Sequence, residues 1–162
     1  MAKEETYNKT PEEENILIQE KYQQILDAAM VTDPKKKAAM QKAFHFAVEA
    51  HKDMRRKSGE PYIMHPLEVA YITANDIGLK TTSIISALLH DVVEDTNYTI
   101  NDIEVMFGKK VANIVDGLTK ISGIFVDSGS IQAENFRKIL LTLADDVRVI
   151  LIKLADRLEL NL

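Results

Sequence analysis

The chain has 162 residues, 46% of them hydrophobic, enough for one domain with a sizeable buried core and too short for a second enzymatic domain. It contains no cysteine, which excludes disulfides and thiolate metal sites, so any metal must be held by His, Asp or Glu. The net charge of −5 argues against direct nucleic-acid binding, and no apolar run approaches the roughly 20 residues of a membrane span.

The polar start, Met1 to Glu5, has no apolar signal region, so the chain reads as cytoplasmic, with no membrane partner. Residues 1–12 are charged and aperiodic and form a flexible N-terminal arm, and the domain occupies residues 13–162. From Glu13 to about Met30, Ile16, Ile18, Tyr22, Ile25, Leu26 and Ala29 recur near helical spacing and predict a peripheral helix. Asp33 and Pro34 suit the cap and first turn of a second helix that runs to about Asp53. Residues 54–66 hold Gly59, Pro61 and Pro66 and predict an ordered loop with a local concentration of positive charge around Arg55, Arg56 and Lys57. A third helix runs from Pro66 to about Ile77 and stops at Gly78.

Thr81 or Thr82 caps a fourth helix that continues through Asp95. Thr99 and Asp102 have capping-box spacing and start a short helix ending at Phe107 and Gly108. Another helix covers Lys109 to about Leu118, followed by a mobile loop from Thr119 to about Ser130. A helix is expected from about Ile131 to Ala144, and a last one from Asp145 onward. Val147, Val149, Ile150, Leu151, Ile152, Leu154 and Ala155 make that last helix apolar nearly all round, which predicts a place at the centre of the bundle. The fold class is all-α, an irregular multi-helix bundle.

The chemistry concentrates in Ala87 to Thr96. At about 100° per residue, Ile84, Ile85, Leu88, Leu89, Val92 and Val93 fill one half of a helix, and His90, Asp91, Glu94 and Asp95 fall on the other. Asp91 and Asp95 then repel at i and i+4, costing roughly 0.2–0.5 kcal/mol, and all three carboxylates sit at a helix end that prefers cations. A divalent cation reverses the sign of both effects, although a solvated acidic helix end is equally common. Asp156, close to an apolar run, needs a partner or a cation, and Arg157 points about 100° away from it. His65, His90, Asp91 and Asp156 together supply two imidazoles and two carboxylates from three segments, a set that suits Mn, Fe or Zn better than Ca or Mg.

Several separated blocks resemble the HD superfamily of metal-dependent phosphohydrolases, and within it the hydrolase domain of the Rel/SpoT enzymes of guanosine tetra- and pentaphosphate metabolism. They are Arg56 to Tyr62 with His65 and Pro66, Ala87 to Thr96, Phe107 and Gly108, Val115 to Lys120, Gln132 to Lys138, and Asp146 to Leu158. The resemblance implies an HD-type bundle in which His65, His90, Asp91 and Asp156 are the ligands of one Mn²⁺. It also implies that Glu94 and Asp95 are the acidic pair needed for hydrolysis, their separate roles left open, and that Arg56, Lys57 and Ser58 contact the guanosine nucleotide. Lys120 and Arg137 are weaker candidates for substrate contact.

The implied reaction is removal of the 3′-pyrophosphate of ppGpp or pppGpp, giving GDP or GTP and pyrophosphate, with a catalytically inactive, nucleotide-binding regulatory domain as the alternative. After Leu158 the family continues His-Asn, whereas this chain reads Glu159, Leu160, Asn161, Leu162. That departure predicts a domain shortened at its C-terminus, with apolar surface of the last helix exposed and with synthetase and regulatory domains in a full-length protein.

Overall fold

A computed structural model describes residues 6–126 and 146–160, and among them every regular element is helical. Helix α1 spans Pro11–Ala29 and begins as its sequence dictates, with the Thr10 hydroxyl accepting from the Glu13 amide at 3.2 Å and Pro11 in the first turn. It starts two residues before the expected Glu13. Helix α2, Pro34–Ala50, is capped by Asp33 through the Lys35 amide at 2.9 Å, as the Asp-Pro pair predicts. It ends three residues short of Asp53, and His51 closes it.

The ordered loop expected over residues 54–66 occupies 51–63 instead, because α2 ends at Ala50 and α3 already begins at Met64. Arg55 and Pro61 make an isolated antiparallel bridge, and the Arg56 amide donates to the Glu60 carbonyl at 2.9 Å. Gly59 turns this miniature hairpin with φ 97°, and a Cβ there would lie 2.9 Å from Tyr7 Cβ. Helix α3, Met64–Ile72, passes into a π-helical turn over Thr73–Ile77 that stops at Gly78 with φ 80°.

Helix α4, Thr81–Leu89, differs from expectation at both ends. Neither Thr81 nor Thr82 caps it: Lys80 occupies the cap position without a side-chain bond, and Thr81 is the first helical residue. It stops at Leu89, and a separate single turn, α5, Val92–Asp95, follows a break at His90 and Asp91. Helix α6, Ile100–Phe107, has the predicted capping box, with Thr99 and Asp102 exchanging bonds of 2.9 and 3.2 Å.

Helix α7, Lys109–Val126, overturns the loop expected from Thr119 onward, since residues 119–126 are helical. The burial of Val111, Ile114, Val115 and Leu118 continues to Ile121, and the Thr119 hydroxyl returns to the Val115 carbonyl at 3.0 Å, so the polar residues ride on a helix anchored from its other face. Gly117 is needed inside it, because a Cβ there would meet Val149 Cγ2 at 2.9 Å where α8 crosses. Residues 127–130 of the expected loop and the helix expected over Ile131 to Ala144 lie outside the described residues.

The central helix is α4, not the last one. Every residue of α4 from Ser83 to Leu89 is buried, and α2, α3, α7 and α8 pack around it. Ser86 is tolerated there because its hydroxyl donates to the Thr82 carbonyl at 2.7 Å. Helix α8, Val147–Leu160, buries one face, made of Val149, Ile152, Ala155, Asp156 and Glu159, against α3 and α7. Of its other apolar residues, Ile150 and Leu151 are half-buried and Val147, Leu154, Leu158 and Leu160 are exposed. Hydrophobicity all round placed α8 at the centre, but two of its buried positions are carboxylates, and what they meet there explains its position.

Candidate functional site

Three segments deliver the predicted ligand set to one buried point. His65 lies in the first turn of α3, set by the loop bond from its amide to the Tyr62 carbonyl at 2.9 Å. His90 and Asp91 form the break between α4 and α5, and Asp156 stands on the buried face of α8. The break corrects the continuous helix assumed for Ala87 to Thr96. In an unbroken helix neighbours diverge by about 100°, whereas here His90 Nε2 and Asp91 Oδ2 come within 3.2 Å.

From His65 Nε2 the distances are 2.7 Å to Asp156 Oδ1 and 3.6 Å to Asp91 Oδ2. His90 Nε2 lies 3.2 Å from the same Asp156 oxygen. Ligand atoms sharing one ion with bonds of about 2.0–2.2 Å stand roughly 3–3.5 Å apart. The two His90 distances of 3.2 Å fall in that range, while the 2.7 Å His65–Asp156 contact is a hydrogen bond that a cation would open. The far side of each imidazole fits as well. His90 Nδ1 is 2.6 Å from the Ala87 carbonyl and His65 Nδ1 is 2.7 Å from Glu159 Oε1, so each ring can donate outward and present Nε2 inward.

The electrostatics show how strongly these groups depend on one another. Burial lowers the pKa of His90, but the charges of Asp91 and Asp156 and the bond to Asp156 lift it to about 9. Burial likewise pushes Asp156 up, yet hydrogen bonds from His65 and His90, with Lys153 beside them, hold it well below the usual carboxylate range. Tyr62 donates its hydroxyl to Asp91 Oδ2 at 2.7 Å, and burial together with that carboxylate pushes its own pKa far up, so it stays a donor. A divalent cation at this point would neutralise the convergent carboxylates that the imidazoles now offset.

The acidic pair is divided. Glu94 faces α7 and α8, where Ser122 and Lys153 lie beside it, and its pKa is raised by burial and by Asp91. Asp95 turns the other way, with Oδ2 at 3.3 Å from Nε2 of the buried His51, out of hydrogen-bond alignment.

The basic loop is divided too. Lys57 and Ser58 are exposed at its tip, and Ser58 Oγ lies 3.4 Å from Glu60. Arg56 reaches inward, 2.7 Å from Glu159 Oε1 and 3.2 Å from Glu60 Oε1. Lys120 pairs with Asp116 at 2.8 Å on an exposed helix surface, and Arg137 lies outside the described residues.

Four residues that sequence reasoning did not place at the site belong to it. Lys153 sits 2.8 Å from Asp156 Oδ2 and 3.1 Å from Ser122 Oγ, so Asp156 takes its cationic partner from i−3, in keeping with the poor alignment of Arg157. Glu159 is at i+3 from Asp156, and both neighbours follow from helix spacing once Asp156 is known to face inward. Tyr62 and Ser122 had no comparable signal, because a loop tyrosine and a helical serine acquire their role only from tertiary packing.

Comparison with known proteins agrees with this geometry. The HD domain family matches residues 43–160, and the chain belongs to it. Within that family it stands with the Rel/SpoT-type proteins. It is 49% identical over 126 residues to a guanosine-3′,5′-bis(diphosphate) 3′-pyrophosphohydrolase of Aquifex aeolicus, a match covering 78% of this chain and 18% of that protein. It is 49% identical over 119 residues to the bifunctional (p)ppGpp synthase/hydrolase SpoT of Escherichia coli, covering 73% and 17%. A solved structure described as a metazoan ortholog of SpoT that hydrolyses ppGpp and plays a role in starvation responses superposes with a TM-score of 0.61 at 31% identity, over 80% of this chain and 70% of that one. The chain thus spans less than a fifth of the length of these two curated relatives.

Proposed function

We propose that this domain hydrolyses the 3′-pyrophosphate of guanosine tetra- or pentaphosphate, ppGpp or pppGpp, to GDP or GTP and pyrophosphate, degrading the alarmone of the stringent response. The observation that carries the reading is the meeting of His65, His90, Asp91 and Asp156 within 2.7–3.6 Å, with Glu94 at its edge. Those four residues hold the metal, which we take to be Mn²⁺. When bound, it supplies Lewis acidity to a phosphoryl oxygen and to water.

The chain's own groups do the rest. Glu94, flanked by Ser122 and Lys153, accepts a proton from the attacking water as its oxygen bonds to the phosphorus carried on the 3′-oxygen. The bond from that phosphorus to the 3′-oxygen breaks, pyrophosphate leaves, and the 3′-oxygen takes up the proton, directly or through solvent, to become the 3′-hydroxyl of GDP or GTP. Asp95 completes the acidic pair of this reading from the other side of α5, where it faces His51 at the end of α2. Arg56, Lys57 and Ser58 line the approach, Lys57 and Ser58 from the exposed tip and Arg56 from the rim; the two cations offset the substrate's charge and the Ser58 hydroxyl can donate a hydrogen bond.

The setting is cytoplasmic, and no helix among the described residues is long and apolar enough to cross a membrane. We take residues 13–162 as the HD unit; the stretch expected to be a flexible arm, 1–12, joins it closely, because Pro11 and Glu12 already belong to α1 and Tyr7 donates to Glu14 at 2.6 Å, and synthetase and regulatory domains accompany the unit in the full-length protein. The test is turnover of ppGpp by the purified chain with and without Mn²⁺, following GDP and pyrophosphate, with elemental analysis of the protein. Turnover dependent on the cation is expected. Undiminished turnover by His90→Ala overturns the assignment, and metal binding without turnover favours the regulatory reading.

A further inference from the structure

We infer that Glu159 is a positioning residue for the metal centre: it fixes the ring orientation and tautomer of His65 and ties Arg56 of the basic loop to the same point. The inference rests on the metal reading proposed above and goes beyond it, since Glu159 falls outside the four-ligand set.

The geometry is specific. Asp156 and Glu159, three residues apart on the buried face of α8, take the two edges of one imidazole: His65 Nε2 is 2.7 Å from Asp156 Oδ1, and His65 Nδ1 is 2.7 Å from Glu159 Oε1. The ring is buried, and so is the Glu159 side chain. A neutral imidazole carries one N–H. With a cation on Nε2, that hydrogen stands on Nδ1 and is donated to Glu159, which leaves the Nε2 lone pair on the side of His90, Asp91 and Asp156. The same Glu159 oxygen accepts from Arg56 Nη1 at 2.7 Å. The guanidinium thereby compensates a carboxylate that is otherwise buried among the acidic groups of the centre, and the loop carrying Lys57 and Ser58 is tethered to a metal ligand through a single oxygen.

Carboxylates that bind the outer nitrogen of a metal-ligating histidine typically change metal affinity by about 10–100-fold when removed. A residue that only fills space would not, and two substitutions of nearly equal bulk separate these roles. Glu159→Gln keeps an oxygen able to accept both bonds, and Glu159→Met keeps the volume without an acceptor.

The experiment measures Mn²⁺ affinity by titration calorimetry for the wild-type chain, E159Q and E159M, with His65→Ala as the ligand-loss control. It adds the ¹⁵N-detected tautomer of His65 and thermal unfolding of each variant. Expected are wild-type-like affinity in E159Q to within about threefold, affinity lower by about 10–100-fold in E159M, and an Nδ1–H tautomer of His65 in wild type and E159Q that is lost from E159M. Equal Mn²⁺ affinity in wild type and folded E159M overturns the inference, as does a loss in E159Q as large as that in E159M. If E159M unfolds, the Nδ1–H resonance in E159Q decides in the same way: its presence with retained affinity supports the role, and its absence overturns it. Failure of the wild-type chain to bind Mn²⁺ at all would instead reject the metal reading itself, so the two failures are distinguishable.

Discussion

Two adjacent arginines of one loop end on two buried glutamates, and the loop serves two regions of the molecule as a result. On the outer side, Arg55 and the Tyr7 hydroxyl both bind Glu14 of α1, with Tyr7 at 2.6 Å. On the inner side, Arg56 and His65 both bind Glu159 of α8, each at 2.7 Å. The motif is the same, a buried carboxylate neutralised by a guanidinium and steadied by a ring donor. The difference lies in what the ring does next. Tyr7 packs on Gly59 and leads back into the fold, while the second nitrogen of His65 faces Asp156, Asp91 and His90. The outer pair holds the chain together, and the inner pair carries the same physics to a place where chemistry can occur.

The largest effect separating the two regions is expected from the inner one. His90→Ala or Asp91→Ala removes a ligand and with it the several kcal/mol that a Lewis acid supplies, so ppGpp turnover should fall by about 10³-fold or more. Bound Mn²⁺ by elemental analysis should fall to background. Circular dichroism should show an intact fold, because the outer pair is untouched. Glu94→Gln sharpens the same boundary: metal content is retained, while turnover falls by about 10²–10⁴-fold, the usual contribution of a positioned base. Should E94Q lose metal as well, Glu94 would belong to the ligand set and the division of labour between it and Asp91 would be wrong.

Gly59→Ala should disturb both regions at once. Its φ of 97° costs an L-residue roughly 1–2 kcal/mol, and the new Cβ meets Tyr7 Cβ at 2.9 Å. The hairpin shares Arg55 and Arg56, so a fall in Tm is expected together with a rise in KM for ppGpp, read by thermal unfolding and initial-rate kinetics. A Tm change with KM unmoved would show that the inner tether survives distortion of the turn.

Legibility in the sequence followed the same division. Helix starts were readable at Asp33 and the Thr99–Asp102 box, where a side chain closes its bond within three residues, whereas the equivalent cap at Thr10 lay inside the stretch read as an arm. The residues that meet were readable as well: His65, His90 and Asp91 cluster with spacing that could hold an ion, and Asp156 lies within hydrogen-bond distance of both imidazoles. What the sequence concealed depends on partners distant in the chain. The break at His90 leaves the residue types of a helix unchanged. Ser122 looked like a loop residue until Lys153 came to meet it across the α7–α8 contact, and nothing in the sequence showed that Gly117 makes room there for Val149. Glu159 looked like a departure from the family pattern, and it became a partner for His65 and Arg56 only when α8 turned that face inward.

The smallest effect, and the cleanest test of the comparison, concerns Glu14. Hydrogen bonds from Arg55 and Tyr7 hold its pKa below the ordinary value of 4.5, against the opposing effect of burial. A carboxyl with a depressed folded-state pKa binds its proton more readily when the chain unfolds, so its contribution to stability is complete above the ordinary glutamate range and is lost as pH falls through the folded value. Glu14→Gln removes that contribution at neutral pH, and since the Arg55 guanidinium is half-exposed and screened, Tm at pH 7 should drop by only about 2–4 °C. The two proteins should converge in Tm as pH is lowered through the depressed folded-state value, where wild-type Glu14 takes up its proton. Mn²⁺ affinity and turnover at pH 7 should stay at wild-type levels throughout. If E14Q instead weakened Mn²⁺ binding as E159M is expected to, the two arginines would be mechanically coupled through the loop, and the outer pair would have to be counted as part of the site.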